Sequence, residues 1–194
     1  MKFVYLAAIT CLLPDMALAA PLILPKQDVS VNYTLSAPGQ ASQSLQLDYH
    51  AATEQARITS TYGYYILADL PTGQAQVVVP ALHAVIQAPD FSNLTIELYQ
   101  AESAAHFTSL GKGHYAGLSC ADYLVTNEHG SAHVCLTSDG VILHFSGHDA
   151  HGEAEVTAAS VNYTPQAVSQ FTVPAGLVPL TLPPGALKSL LAPQ

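Results

Sequence analysis

The feature that most constrains this chain is a hydrophobic alternation with a period of two residues, broken at short intervals by turn-forming residues. In segments 28–35 and 44–50, apolar side chains occupy every second position. Side chains on one face of a β-strand recur with this period. The same pattern predicts strands at 54–60, 62–69, 74–79, 82–88, 94–100, 104–110, 113–126, 132–137, 141–146 and 154–163. The chain is therefore predicted to be mainly β, with a single curved antiparallel sheet.

Turn chemistry separates the predicted strands, and helix signals are few. Turns are expected at Pro38-Gly39, at 71–73, at 111–113 and at Asp139-Gly140. Short helical turns are expected only near 98–105 and 184–191. The fold is thus expected to contain little helix.

The first 19 residues have the pattern of a secretory signal peptide. Lys2 precedes an apolar stretch over 3–13, and Ala17 and Ala19 are small residues at the −3 and −1 positions of a cleavage site after Ala19. Cleavage after Ala20 is the less favoured alternative. A retained anchor is also less favoured, because the apolar stretch is shorter than the ~20 residues of a membrane-spanning helix. We expect an exported, periplasmic protein with no stable membrane span after cleavage.

The rest of the chain is interpreted as one domain followed by a tail. No low-complexity linker interrupts the sequence before residue 174, so the β domain is predicted over 20–173. Five prolines then punctuate 174–194. Because proline lacks an amide hydrogen, this tail is not expected to form regular helix or a central strand.

Composition excludes two broad classes of protein. The 10% of charged residues against 49% apolar ones is unlike a disordered chain. Five Lys and Arg residues against 14 Asp and Glu give a net charge of −9, which excludes electrostatic recognition of nucleic acid.

Two cysteines remain after signal cleavage, Cys120 and Cys135. In an oxidising compartment an even pair is interpreted as a disulfide. Two free buried thiols are the alternative. A redox pair is disfavoured because the spacing is not Cys-x-x-Cys.

Turn geometry gives a register for the segment 117–146. A two-residue turn at Asp139-Gly140 predicts three cross-strand pairs: Leu136 with Leu143, Cys135 with His144, and Val134 with Phe145. If Cys120 lies directly opposite Cys135, the preceding hairpin places Asp122 opposite His133.

No catalytic motif is found, and no catalytic residue or cofactor is predicted. The serines do not form a Gly-x-Ser-x-Gly elbow, and both mature cysteines are assigned to the disulfide. The alternative site is a zinc or copper centre formed by His133, His144, His148 and His151. The competing interpretation is that these are surface histidines in a chain with few lysines.

Tyrosines 62, 64 and 65 flank Gly63. They are interpreted either as an aromatic patch facing a sugar or lipid, or as part of a packed strand with a glycine bulge.

Several motifs in the second half resemble a family of secreted Gram-negative proteins of unknown function. They are F-T-x-L-G from Phe107, A-G-L-x-C ending at Cys120, V-C-x-T-x-D-G-V-x-L from Val134, and S-V-x-Y over Ser160 to Tyr163 before F-x-V-P. That family is related to the LolA/LolB-like superfamily of lipoprotein carriers. The resemblance implies an antiparallel half-barrel around a lipid-binding hollow.

These observations favour a non-enzymatic binding protein that holds a lipid or lipoprotein acyl chain against the concave sheet. The alternatives are the metal-binding protein above and an envelope protein-interaction module that binds through a sheet edge. The residues expected to line the hollow are Val31, Tyr33, Leu47, Tyr49, Ile58, Tyr64, Ile66, Val134, Leu143 and Phe145.

Overall fold

A computed structural model describes residues 21–88, 105–127, 130–149 and 152–181. The described strands are β1 (Val29–Ser36), β2 (Gln43–His50), β3 (Gln55–Ser60), β4 (Tyr65–Asp69), β5 (Gln74–Val79), β6 (Ala84–Gln87), β7 (His106–Tyr115), β8 (Leu118–Asn127), β9 (Gly130–Leu136), β10 (Ile142–Asp149), β11 (Gly152–Asn162) and β12 (Val178–Leu180). Two short 3₁₀ helices cover Pro80–Leu82 and Val168–Phe171. Within the described ranges, no helix is long and apolar enough to cross a membrane.

All twelve strands belong to one sheet, in the order β12-β6-β5-β4-β3-β2-β1-β11-β10-β9-β8-β7. The predicted mainly β class, a curved sheet with little helix, is confirmed. The sheet is mixed, because β12 pairs with β6 in parallel while the other pairs are antiparallel. It is not closed into a barrel, since β12 and β7 form its two edges.

Some predicted features cannot be compared with the structure. The signal peptide, the strand at 94–100 and the helical turn at 184–191 lie outside the described residues, as does nearly all of the helical turn at 98–105. The start of the Pro-rich tail is described, and it supplies the edge strand β12.

The turn predicted at 111–113 is wrong. Strand β7 continues through these residues to Tyr115, and a bulge between Ser109 and Gly111 accommodates the glycine at φ 127°. The hairpin turns at Ala116 and Gly117 instead, where φ is 50° and 77°. Two consecutive residues with positive φ match the twist of the flanking strands, as in type I′ hairpin turns.

The disulfide between Cys120 and Cys135 is confirmed, with 5.4 Å between its Cα atoms. The prediction that the two residues lie directly opposite is wrong. Cys135 is paired with Asp122, so the disulfide joins diagonal positions, and His133 faces Leu124 rather than Asp122. The error is two residues, and a shift of two leaves every side chain on its predicted face.

The next hairpin confirms two of the three predicted pairs. Cys135 pairs with His144 and Val134 with Phe145, but Leu136 pairs with Ile142 instead of Leu143. A bulge absorbs the extra residue, because the loop contains three residues rather than two: the Thr137 amide donates to the Val141 carbonyl. Gly140, at φ 94°, supplies the positive φ that such loops require.

Strands β4, β5 and β6 are buried on both faces. One face presents Ile66, Val77 and Ile86, and the other presents Tyr65, Val78 and Val85. Leu177, just before β12, packs against the second group. This end of the sheet is therefore a two-sided core rather than an open half-barrel wall.

The Asp28 carboxylate ties three separate segments together. It accepts hydrogen bonds from the Ala51 amide at 2.9 Å and from the Gln166 amide at 2.7 Å. These residues belong to the β2–β3 turn and to the segment after β11. The N–H of Gln166 is the main reason that the pKa of Asp28 lies below its ordinary value, with Ala51 and His50 lowering it further against a desolvation penalty.

Replacing Gly113 by alanine should destabilise the protein. An added Cβ would lie 2.6 Å from the Cys135 sulfur and 3.3 Å from the Cys120 sulfur. Overpacking of this kind costs about 1–3 kcal/mol, so the urea midpoint should fall, whereas Ser109→Ala on the same strand should leave it unchanged. In a Cys120→Ala/Cys135→Ala background the cost of Gly113→Ala should largely disappear. An equal cost in both backgrounds would contradict this packing.

Replacing Asp28 by asparagine should lower the free energy of unfolding at neutral pH. A carboxyl whose folded-state pKa is depressed stabilises the protein above its unfolded-state pKa, and this contribution is lost as the pH falls through the folded-state pKa. The difference between wild type and Asp28→Asn should therefore narrow below about pH 4. Urea unfolding at several pH values measures this difference in unfolding free energy. Glu54→Gln is the control. A difference independent of pH would argue against the carboxylate as the tie.

Candidate functional site

Aliphatic side chains form a straight row across eight neighbouring strands. Each is paired directly with the next in the sheet register. From β12 to β11 the row consists of Leu180, Ile86, Val77, Ile66, Ile58, Leu47, Val31 and Val161. Directly opposite side chains on one face lie close enough to pack, so the row is one continuous apolar band.

Exposure varies along this aliphatic row. Val31 and Val77 are completely buried, whereas Leu47 and Ile58 are half-buried. At the sheet edge Leu180 is 38% exposed. The row therefore combines buried wall positions with positions that a bound molecule can touch.

A second apolar row runs beside the first on the same face. Tyr49 is paired with Ala56, Ala56 with Ala68, and Ala68 with Ala75. The three consecutive alanines have side chains much shorter than those of the aliphatic row. The apolar face is thus at least two rows wide across β2 to β5, and in the second row Tyr49, Ala56 and Ala75 are buried.

The structure divides the ten predicted lining residues into two groups. Six are buried: Val31, Tyr33, Tyr49, Ile66, Val134 and Leu143. The half-buried ones are Leu47, Ile58, Tyr64 and Phe145. The first three of these four lie together on or beside β2, β3 and β4, whereas Phe145 lies on β10.

Tyr33 illustrates the buried group. Its hydroxyl donates a hydrogen bond to the Ile142 carbonyl at 2.7 Å, and burial strongly raises the pKa of the phenol. A tyrosine fixed in this way is a structural member of the core.

The opposite face of β3 and β4 is covered by the chain itself. The Arg57 guanidinium lies 3.9 Å from the centroid of the Tyr65 ring and donates to the Gln170 carbonyl. Phe171 is buried beside the His50 ring, at 5.8 Å between centroids. These contacts hold the Val168–Phe171 helix on this face of β3.

A polar groove of about 560 Å³ lies on the other half of the sheet. Its floor is a cross-strand row of His133, Ser146, Glu155 and Ser36, on four adjacent strands. The His144 ring lies beside this floor, hydrogen-bonded to Glu155 at 3.0 Å and stacked on Tyr115 at 4.8 Å between centroids. No lysine or arginine lines the groove.

The predicted metal centre is only partly described. His133 and His144 share a face at diagonal positions, as the register predicted. The side chains of His148 and His151 lie outside the description, and among the described residues no group of three or more His, Cys, Asp or Glu is placed to hold a metal. The metal-binding alternative therefore stays a prediction.

Both sheet edges carry features that oppose pairing with another strand. In β12 the Val178 amide donates to the His83 carbonyl. The next residue, Pro179, has no amide hydrogen to offer to a further strand. In β7 the bulge at Leu110 interrupts the regular ladder, and Lys112 follows it. Bulges, prolines and lysines are the usual means by which edge strands avoid further pairing. This disfavours binding by strand addition.

Comparison with known proteins locates the fold but no family. No protein-family profile matches the chain, and no curated protein matches it. Solved structures do match. An uncharacterised conserved protein from Thermus thermophilus has a TM-score of 0.57 at 8% identity, over 81% of this chain and 91% of that one. The MucA/MucB complex of Pseudomonas aeruginosa gives 0.53 at 14% identity, over 81% of this chain and 62% of the matched one.

A LolA superfamily protein from Nitrosomonas europaea is also matched, with a TM-score of 0.42 at 12% identity over 80% of this chain and 94% of that one. The motifs of the second half resemble a family related to this superfamily. All these identities are below 25%, so function has to be argued from the residues of this chain.

Sequence patterns located only part of the aliphatic row. Val77, Ile86 and Val161 were missed, although the strands predicted at 74–79, 82–88 and 154–163 include them. Leu180 could not be placed, because its position depends on a parallel pairing between strands far apart in sequence.

Ile58 and Ile66, which are paired across β3 and β4, should differ in their contribution to stability. Ile66→Ala should cost about 2–5 kcal/mol of unfolding free energy, because the side chain is 7% exposed and its loss leaves a cavity. Ile58→Ala should cost distinctly less, because the side chain is half-buried. Urea unfolding of the two variants makes the comparison. Equal costs would show that Ile58 is also a wall residue.

Proposed function

We propose that this protein is an exported, non-enzymatic binding protein that holds a hydrophobic ligand, a lipid or the acyl chain of a lipoprotein, against the apolar face of its sheet. The observation that carries the proposal is the aliphatic row, in which half-buried Leu47 and Ile58 lie between the buried Val31 and Ile66. This arrangement gives a rigid wall with apolar groups available at its surface.

The chemistry of the face supports an acyl ligand over a polar one. Leu47, Ile58 and Tyr64 contribute apolar contact area, and the only polar atom among their side chains is the Tyr64 hydroxyl. Each methylene removed from water contributes about 0.8 kcal/mol. A short stretch of acyl chain along the row would therefore bind usefully without any charged recognition.

Export to the periplasm is part of the proposal. It is supported by the predicted signal peptide over 1–19 and by the disulfide between Cys120 and Cys135, since disulfides persist in oxidising compartments. The absence of a catalytic motif in the sequence supports a binding role. A lipid-binding protein fits both the predicted export and the absence of a catalytic motif.

Binding of a fluorescent fatty acid to delipidated protein tests the proposal. Leu47→Asn and Ile58→Asn each place an amide in the aliphatic row, where it has no partner when the ligand is bound. Each should weaken binding by about tenfold, since burying an unpaired polar group costs roughly 1–3 kcal/mol. The fatty acid should also raise the Tm of the wild type.

Val168→Asn is the matched control. Val168 is 51% exposed and lies in the helix held against the opposite face by Arg57 and Gln170. It should bind the fatty acid like the wild type. Absence of binding by the wild type, or equal loss in Val168→Asn, would refute the proposed site.

A further inference from the structure

We propose that one end of the sheet docks on a lipid bilayer surface, through which the ligand reaches the aliphatic row. The docking surface, which we name the uncharged rim, consists of the turns 37–42, 61–64 and 80–83 together with β12. This inference rests on the proposed function and names the partner from which the ligand is taken.

The topology brings these four segments to one end of the sheet. Strands β1 to β6 follow one another as antiparallel neighbours, so alternate turns share an end. The turns after β1, β3 and β5 therefore lie together. Strand β12 runs parallel to β6 and so begins at the same end.

Apolar side chains protrude at this end. Leu82 is 56% exposed, Val178 is 57% exposed, and Tyr62 is 44% exposed. Leu82 and Val178 are adjacent, because the Val178 amide donates to the carbonyl of His83 at 2.8 Å. Tyrosine and aliphatic side chains at turn tips are suited to the boundary between headgroups and acyl chains.

The charge distribution distinguishes this end from the rest of the molecule. The sequence has no Asp, Glu, Lys or Arg from 70 to 89 or from 156 to 187, although the net charge is −9. None occurs in the turns 37–42 and 61–64 either. Glu153 and Glu155 line the polar groove together with Ala37 and Pro38, so acidic residues border the rim at its turn 37–42. The turns 61–64 and 80–83 with β12 are the part of this acidic protein that can approach a membrane at the least electrostatic cost.

Continuity with the aliphatic row favours a bilayer over a protein partner. Val178 and Leu180 pair with Ala84 and Ile86, so the exposed β12 side chains lie on the same face as the row. Leu180 is the terminal member of the row and is itself 38% exposed. The entry point that the rim offers is Tyr64 in the turn 61–64, which is half-buried and packs with Ile58 against the cluster that contains Ile66. An acyl chain leaving a bilayer there would meet the half-buried part of the row.

Flotation of the full mature protein with vesicles tests the proposal. Wild type should float with phosphatidylcholine vesicles, and less with vesicles that also contain phosphatidylglycerol, because the protein is acidic. Leu82→Asp/Val178→Asp should reduce the vesicle-bound fraction by about tenfold or more. Each substitution replaces an apolar side chain that would be buried in the bilayer by a charged one. If the double variant folds poorly, Leu82→Asp alone is the substitute, because Leu82 lies outside the strands. It should also lower the fraction of protein that floats with the vesicles.

Leu110→Asp is the matched control, because Leu110 is 49% exposed on β7 at the other edge of the sheet. It should float like the wild type. Unchanged flotation of both Leu82 variants would overturn the proposal, as would a dimer in sedimentation that the Leu82 substitutions dissociate, since a second copy would then occupy the rim.

The same variants separate this inference from the proposed function. Leu82→Asp should retain the wild-type affinity for monomeric fluorescent fatty acid while losing vesicle binding. If the wild type binds vesicles but no fatty acid, the rim is supported and the ligand site is rejected. If it binds fatty acid but no vesicles, the ligand site is supported and the rim is rejected.

Discussion

Direct cross-strand packing of aliphatic side chains is the interaction on which the rest of this structure depends. The row from Leu180 to Val161 exists only because the register of seven successive strand pairs is correct. A slip of one residue anywhere would turn the following members to the other face. Burial of the row therefore fixes the register, and the same burial creates the apolar face that we assign to ligand binding.

The two halves of the sheet use their surfaces differently. At β3 the face that contains Arg57 is contacted by the Val168–Phe171 helix, and the apolar face keeps half-buried groups at Leu47 and Ile58. Across β8 to β11 the disulfide fixes one hairpin, while the polar groove beside His144 and Glu155 is open. The uncharged rim belongs to the first half, and its turn 37–42 borders the groove whose acidic residues, Glu153 and Glu155, lie on β11.

Much of the fold could be predicted from the sequence, because alternation and turn residues are local signals. The bounds of β1, β2, β5 and β11 fall within two residues of the predicted strands. The errors arose where conformation depends on contacts beyond the local pattern. The glycines at 111 and 113 look like a turn, but one serves a bulge and the other leaves room for the disulfide. A three-residue loop with a bulge at Leu143, and parallel pairing of β12 with β6, are equally invisible to local alternation. The ten proposed lining residues were chosen for face alone, and only the structure separates buried Ile66 from half-buried Ile58.

Native mass spectrometry of the protein purified from the cells that produce it, without extraction by organic solvent, tests the central claim most directly. The account predicts an oxidised chain, processed at Ala19, that carries an adduct of lipid mass, lost on delipidation and regained on incubation with phospholipid. A chain that carries no adduct and regains none, or one whose only adduct has the mass of a metal ion, would contradict it.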